Sequence, residues 1–318
     1  MAKKITLSVV ITVLNEGEHI LALLAALDSQ TYQADEVIIV DGGSRDKTVE
    51  LLEQWQKKHH LPVQVYLKTG NRSVGRNEGV QRATSHWIAF TDAGCVPHQN
   101  WLKKLVEKIK DNNAETVVAG YYDAVTKTGF EQAVVPYVLV MPDRVNPDTF
   151  LPATRSMLIS KKLFTQLGGF DETLSDNEDY AFAKKLEHLR DQHQLTIRFA
   201  PDAKVSWLPR RTLRSFTWMI YRFARGDIQA GIVRPKVMAL FGRYLGLLLM
   251  MGWLLSQNKL SWAVIMITSG LMLYTIWSIQ KNWRYVPQGW YWLPVLQLAA
   301  DGAVMMGSVA GWLRRRGS

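Results

Sequence analysis

Short β-branched apolar runs alternate with amphipathic stretches through the first 109 residues, and this alternation restricts the fold more than any other feature of the chain. Ile5 to Leu14 reads as a buried parallel strand, and the apolar stripe Ile20, Leu23, Leu24 and Leu27 predicts a helix after it. The pattern then repeats as strand Glu36 to Val40 and helix Asp46 to Lys58, strand Val63 to Leu67 and helix Val74 to Ala83, strand Trp87 to Thr91 and helix Trp101 to Ile109. Such spacing predicts an α/β fold with an open, mostly parallel sheet whose ligands lie at the carboxyl ends of the strands. After about residue 115 the order loosens into short strands, a stretch punctuated by Pro136, Pro142, Pro147 and Pro152, and helices near 160–167 and 178–190.

The last quarter obeys a different rule. Leu260 to Ile279 is 20 residues without a formal charge, enough to cross a hydrocarbon core of ~30 Å as a helix. Val237 to Leu255 is similar, with Arg243 near its start and able to snorkel to the interface. Trp290 to Leu313 contains Gln297 and Asp301, so it reads as a third span, a buried helix or an interfacial one; in lipid Asp301 requires a partner helix. Three spans with the N-terminal part in the cytosol would place Arg314, Arg315 and Arg316 outside, against the positive-inside tendency, whereas an interfacial third segment keeps them inside.

Charge follows the same division. Residues 204–236 hold eight Lys or Arg against Asp227, and residues 237–318 hold seven against Asp301; with +10 overall, about −3 is left for residues 1–203. A basic belt that runs into apolar segments suits an anionic cytoplasmic leaflet and argues against nucleic acid as a partner. Cys95 is the only cysteine, which excludes an intrachain disulfide and a multi-cysteine zinc site. The start Met1-Ala2-Lys3-Lys4 lacks the pattern of a signal peptide, so the expected location is a multi-pass protein of the cytoplasmic (inner) membrane with its N-terminal domain facing the cytosol.

Polar and acidic motifs stand where such strands end. Thr12, Asn15 and Glu16 close the first strand, and Asp41-Gly42-Gly43-Ser44-Arg45-Asp46 closes the second; tight turns that open helices suit a nucleotide, although Ser44 also reads as a helix-start residue. Gly75-Arg76-Asn77-Glu78-Gly79 is followed by Asp92-Ala93-Gly94-Cys95 at the end of an apolar strand. A carboxylate there could hold a ribose or a divalent cation on a diphosphate, and Arg76 could pair with phosphate or with that carboxylate. Gly168-Gly169-Phe170-Asp171-Glu172 and Asn177-Glu178-Asp179 complete the set. A carboxylate at a helix start can take a proton from a hydroxyl, or merely stabilise the helix dipole, and one of Glu178 and Asp179 suffices for the former.

In order and spacing these motifs, from about Leu7 to Arg225, resemble the family 2 glycosyltransferases of the A-type fold. The resemblance implies an inverting transfer of sugar from a nucleotide-sugar donor. Asp41 and Arg76 would line the nucleotide site together with Thr12, Asn15 and Glu16, Asp92 would serve the ribose, the diphosphate and a metal (Mn²⁺ or Mg²⁺), and Asp179, with Glu178 beside it, would be the general base. With the loosening of the pattern after residue 115 and the charge and hydropathy of the C-terminal part, this gives an expected catalytic domain over 1–203, with a nucleotide-binding half at 1–115 and an acceptor half at 116–203, a basic juxtamembrane region at 204–236 and an anchor of two or three helices at 237–318. The expected partners are a nucleotide sugar, a lipid or lipid-linked hydroxyl acceptor in envelope glycolipid or polysaccharide synthesis, and the membrane.

The departures are specific. Gly42 stands where the family usually has a second Asp, which bears on uracil recognition; Gly94 replaces the second acid of Asp-x-Asp; and Trp207 stands near the place of a frequent His. The Gln-x-x-Arg-Trp run of processive synthases appears as Met219-Ile220-Tyr221-Arg222-Phe223, which keeps an arginine for the diphosphate and favours transfer of a single sugar. A polyprenyl phosphate acceptor and a catalytically impaired scaffold subunit are the alternatives. A dinucleotide oxidoreductase is set aside, because Val13 to His19 offers only Gly17 where Gly-x-Gly-x-x-Gly is needed.

Overall fold

The computed structural model describes residues 5–109 and 113–316, Arg316 by its backbone only; Met1 to Lys4, used above for the N-terminal reading, and the Arg316 side chain lie outside that description. The chain divides into two compact units, Met1–Val125 with Met141–Leu208, and Thr126–Val140 with Pro209–Ser318.

In chain order the first unit contains β1 (Leu7–Val13), α1 (Ile20–Asp28), β2 (Glu36–Asp41), α2 (Thr48–Lys58), β3 (Val63–Leu67), α3 (Arg72–Arg82), β4 (Trp87–Phe90), β5 (Cys95–Pro97), α4 (Trp101–Val106) and β6 (Thr116–Ala124). Helix α5 (Gly129–Val138) belongs to the second unit, after which the first resumes with β7 (Met157–Ser160), α6 (Lys161–Gln166), α7 (Glu178–Asp191) and β8 (Thr196–Trp207). The eight strands form one sheet in the order β3-β2-β1-β4-β7-β6-β8-β5. β1 to β4 are parallel, as the apolar runs at the centres of β1, β2 and β4 predict, whereas β7 runs antiparallel to both β4 and β6. This reversal matters for the site. It brings the amino end of β7 to the same edge as the carboxyl ends of β1, β2 and β4.

Close packing sets the position of α3 on that sheet. Gly75 and Gly79 lie one turn apart on its inner face; a Cβ at Gly79 would come within 2.5 Å of Val10 Cγ1, and one at Gly75 within 2.7 Å of Thr12 Cγ2. Only hydrogen fits, so the helix lies directly on β1 and its neighbour Arg76 is carried to the strand ends. Beneath it, Phe90, Phe164, Phe170 and Phe182 share a core with Val10, Ile38 and Ile88. Helix α2 starts at Thr48, two residues later than the sequence reading. The Ser44 hydroxyl turns back to Asp41 at 2.5 Å rather than serving the helix start, while Asp46 accepts the Thr48 N–H at 3.0 Å.

The second unit holds α5, α8 (Leu213–Gln229), α9 (Pro235–Ser256), α10 (Leu260–Asn282) and α11 (Leu293–Arg316). The last three are long and apolar enough to cross a membrane; the 22 residues of α9 rise about 33 Å at 1.5 Å per residue. None of α9 is buried within the protein, and Leu247, Leu249, Ile265 and Leu273 of α9 and α10 are exposed, as lipid-facing residues are. Helix α11 differs because one of its faces is used: Gly307 and Gly311 approach the backbone of α8 so closely that a Cβ would meet Tyr221 O at 2.3 Å and Arg225 O at 2.7 Å. Asp301 has the partners that lipid would require. Its carboxylate accepts from Arg243 at 2.6 Å, Tyr244 at 3.0 Å, Gln297 at 3.0 Å and Tyr274.

Candidate functional site

The shared strand edge of the first unit collects the chemistry. Arg76 is buried and forks between two acids from distant parts of the chain: one nitrogen reaches Asp92 at 2.8 Å, after β4, and the other bonds Glu178, the first residue of α7. Thr154, from the segment before β7, adds a longer bond of 3.3 Å to Asp92.

A second set of bonds makes this meeting a consequence of local folding. Asn77, next to Arg76, donates to Phe170 O at 2.8 Å and accepts from Phe170 N at 2.9 Å, which clamps the Gly168-Gly169 turn; both glycines have positive φ, 77° and 68°. Asn71 caps α3 through Val74 N at 3.1 Å and donates to Glu172 O at 2.7 Å, and Ser73 reaches Leu174 O at 3.2 Å. The start of α3 is therefore stitched to the segment that leads into α7. Phe170 lies beneath, 5.5 Å from the Arg76 guanidinium.

The electrostatics separate the acids. Burial opposes ionisation of Asp92, but Arg76, Arg155 and Arg72 outweigh it and hold its carboxyl below the ordinary range. For Glu178 burial prevails over Arg76, and neighbouring Asp179 adds to it, so its pKa is raised; its Oε2 is buried without a hydrogen-bond partner among the described residues. Asp179 is half-buried and accepts Tyr180 N at 2.8 Å. Burial pushes the Cys95 thiol up, and Asp92 adds to the shift, so Cys95 is an inert thiol here.

The other sequence-predicted residues occupy the neighbouring loops. Asp41 ends β2, which is separated from β4 by β1, and its buried carboxylate accepts from Gly43 N at 3.1 Å and from Ser44 N at 3.0 Å. Asn15 adopts positive φ (56°) and accepts Arg45 N at 2.8 Å, while Glu16 N donates to Thr48 at 2.8 Å. Thr12 lies on β1 opposite Val40, and Arg222 lies on α8, in the second unit. Sequence reasoning missed Thr154, Arg155 and Tyr122. Arg155 is an arginine two residues before the apolar run Met157-Leu158-Ile159, and that contrast was its one visible signal.

Whether these residues could hold a metal turns on the ligand set. Asp92 is the one carboxylate at its turn, Gly94 carries none, Trp207 has no ligand atom, and no group of three or more His, Cys, Asp or Glu suited to a metal occurs among the described residues. One ligand does not make a resident metal site. A Cβ at Gly94 would meet nothing within 4 Å, so Gly94→Asp should fold as the parent does. We expect it to tighten Mn²⁺ binding by roughly tenfold or more, read by calorimetry, because it doubles the carboxylates at this turn.

The profile described as glycosyl transferase family 2 matches residues 8–167, about half of the chain. Glycosyltransferase AglE of Haloferax volcanii is 35% identical over 113 residues, which cover 35% of this chain and 37% of AglE. The dolichyl N-acetyl-alpha-D-glucosaminyl phosphate 3-beta-D-2,3-diacetamido-2,3-dideoxy-beta-D-glucuronosyltransferase of Methanococcus voltae is 30% identical over 105 residues, 32% of this chain and 33% of its own length. The chain thus spans about a third of the length of either relative. Among solved structures, the mannosyltransferase PcManGT from Pyrobaculum calidifontis, in complex with GDP-Man and Mn²⁺, superposes with a TM-score of 0.67 at 18% identity, covering 95% of this chain and 88% of that one, which shows a shared fold.

Proposed function

The chain belongs to glycosyl transferase family 2, and from that membership we propose that it moves a single sugar, with inversion, from a nucleotide-sugar donor to a hydroxyl on a membrane-associated lipid or lipid-linked glycan. The observation that carries the reading is the Arg76 fork, which joins the Asp92 turn to the start of α7 and so sets Asp179 close to the strand edge that would receive a sugar diphosphate.

In this reading Asp179 is the general base. Of the two adjacent acids it is the accessible one, whereas Glu178 is buried against Arg76 and acts by positioning. The acceptor oxygen attacks C1 on the face opposite the diphosphate, its proton passes to Asp179, the C1–O bond to the diphosphate breaks, and the nucleoside diphosphate departs with the bonding electrons. A phosphate acceptor is already anionic and needs no base, so a carboxylate at this place favours a hydroxyl. The name of the Methanococcus relative, which describes a sugar attached to a dolichyl-linked sugar phosphate, agrees with that preference.

The ligand set does not fit a resident metal, and no step here runs through one; a Mn²⁺ or Mg²⁺ ion would arrive on the donor diphosphate with Asp92 as its protein ligand. The three apolar helices and the basic belt at 204–236 support a multi-pass place in a cytoplasmic membrane with the catalytic unit on the cytosolic side. The test is a panel of nucleotide sugars offered to the detergent-solubilised full chain, with and without Mn²⁺ or Mg²⁺. Release of nucleoside diphosphate from one donor is expected; no release from any donor overturns the reading in favour of a scaffold.

A further inference from the structure

Arg155 has no part in the scheme above, yet its setting is that of a binding residue. The antiparallel register Phe90↔Met157, continued by two residues, brings Arg155 opposite Asp92. Its neighbour Thr154 is bonded to that same carboxylate. The guanidinium carbon lies 5.4 Å from the Tyr122 ring centroid and 5.7 Å from that of Trp207, and both rings are buried. Stacking of this kind fixes the plane of an arginine while leaving its edge free to donate.

That edge has hydrogen-bonding capacity to spare, although its charge already acts on Asp92. Arg76 spends its fork on Asp92 and Glu178, but among the described residues the half-buried Arg155 guanidinium makes no hydrogen bond and no ion pair. Five donors held on aromatic faces at the end of β4 fit a polyanion with oxygens in a plane, and a diphosphate is such a group. The two positions that leave the turn short of metal ligands are adjacent to it: Trp207 is one of the platforms under Arg155, and Gly94 lies two residues from Asp92.

We propose that Arg155, seated on Tyr122 and Trp207, binds the donor's diphosphate directly and supplies there the positive charge that a metal ion would otherwise bring. The proposal rests on the nucleotide-sugar reading and names the group that recognises the diphosphate. As the C1–O bond breaks, charge accumulates on the leaving diphosphate, and a cation already fixed in place stabilises it without reorganisation.

Binding of UDP and GDP to the full chain in detergent, measured by calorimetry in EDTA and again in Mn²⁺, tests it. The parent protein is expected to bind one of them in EDTA, and Arg155→Gln to weaken that binding by about 10- to 100-fold, the loss of a charge-assisted phosphate bond. Arg155→Lys, which keeps the charge, should recover part of the loss, and the melting temperature of each variant without nucleotide guards against a folding defect. A parent that binds only with Mn²⁺, an Arg155→Gln variant that binds as well as the parent, or a Lys variant no better than Gln would overturn the inference while leaving glycosyl transfer intact. Failure of the parent to bind any nucleoside diphosphate under either condition would remove the donor reading itself.

Discussion

Asp179→Asn should lower the rate of sugar transfer by about 10²- to 10⁴-fold, the usual contribution of a positioned base. The substitution is nearly isosteric, and the amide oxygen can still accept Tyr180 N, so the first turn of α7 should be retained. Donor binding should also be retained, because the scheme gives Asp179 no bond to the donor. The loss should therefore appear in kcat with saturating donor and acceptor while the affinity for the nucleoside diphosphate stays at the parent value. Full transfer activity with intact donor binding would show that the base lies elsewhere. Glu178→Gln is the informative control. It alters a residue that touches Arg76, so its effect should appear in stability and in donor affinity as well as in rate.

The second large effect is structural. Arg76→Ala should destabilise the catalytic unit by about 3–5 kcal/mol at neutral pH, because it leaves Glu178 as an uncompensated buried charge and removes the main partner of Asp92. The dependence on pH follows from the signs. Glu178 already has a raised pKa, and loss of Arg76 raises it further, so in the variant the folded state favours the protonated acid. Stability from a raised carboxyl is fully present below the unfolded value of about 4.3 and is lost as pH rises through the folded value. In the parent, Asp92 has the opposite sign: its lowered pKa contributes stability above the unfolded value, and that contribution is lost as pH falls through the folded one. The gap between parent and variant should thus be widest near pH 7 and narrow towards pH 4. Denaturant midpoints of the detergent-solubilised proteins at several pH values measure it, and a gap independent of pH would refute the buried-charge account.

Local pattern revealed much of the first unit because its central strands are buried on both faces. Val9–Ile11 and Val37–Val40 are unbroken apolar runs within β1 and β2, and the stripe Ile20, Leu23, Leu24 and Leu27 has the period of a helix. The motifs at the strand ends were visible for the same reason, since a parallel sheet brings strand ends together without any need to know which distant segments pair. What stayed hidden depends on such pairing. The antiparallel return of β7 brings Arg155 and Thr154 to Asp92, and nothing local to Leu151–Ser156 shows that Phe90 faces Met157. The excursion of Thr126–Val140 into the second unit was equally unreadable, because α5 is an ordinary capped helix whose destination is a matter of tertiary packing. Asp41 was visible as an acid at a strand end, but its bonds to Gly43 and Ser44 arise from a turn that spacing alone does not specify.

The carboxylate of Asp301 has a further meaning for how the chain is made. An isolated α11 would bring into hydrocarbon an acid partnered by Gln297 alone, whereas its other donors, Arg243, Tyr244 and Tyr274, belong to the two helices synthesised earlier. Were α11 to cross the bilayer, biogenesis would acquire an order, with the leading hairpin in place and offering its donors before the final segment settles beside it.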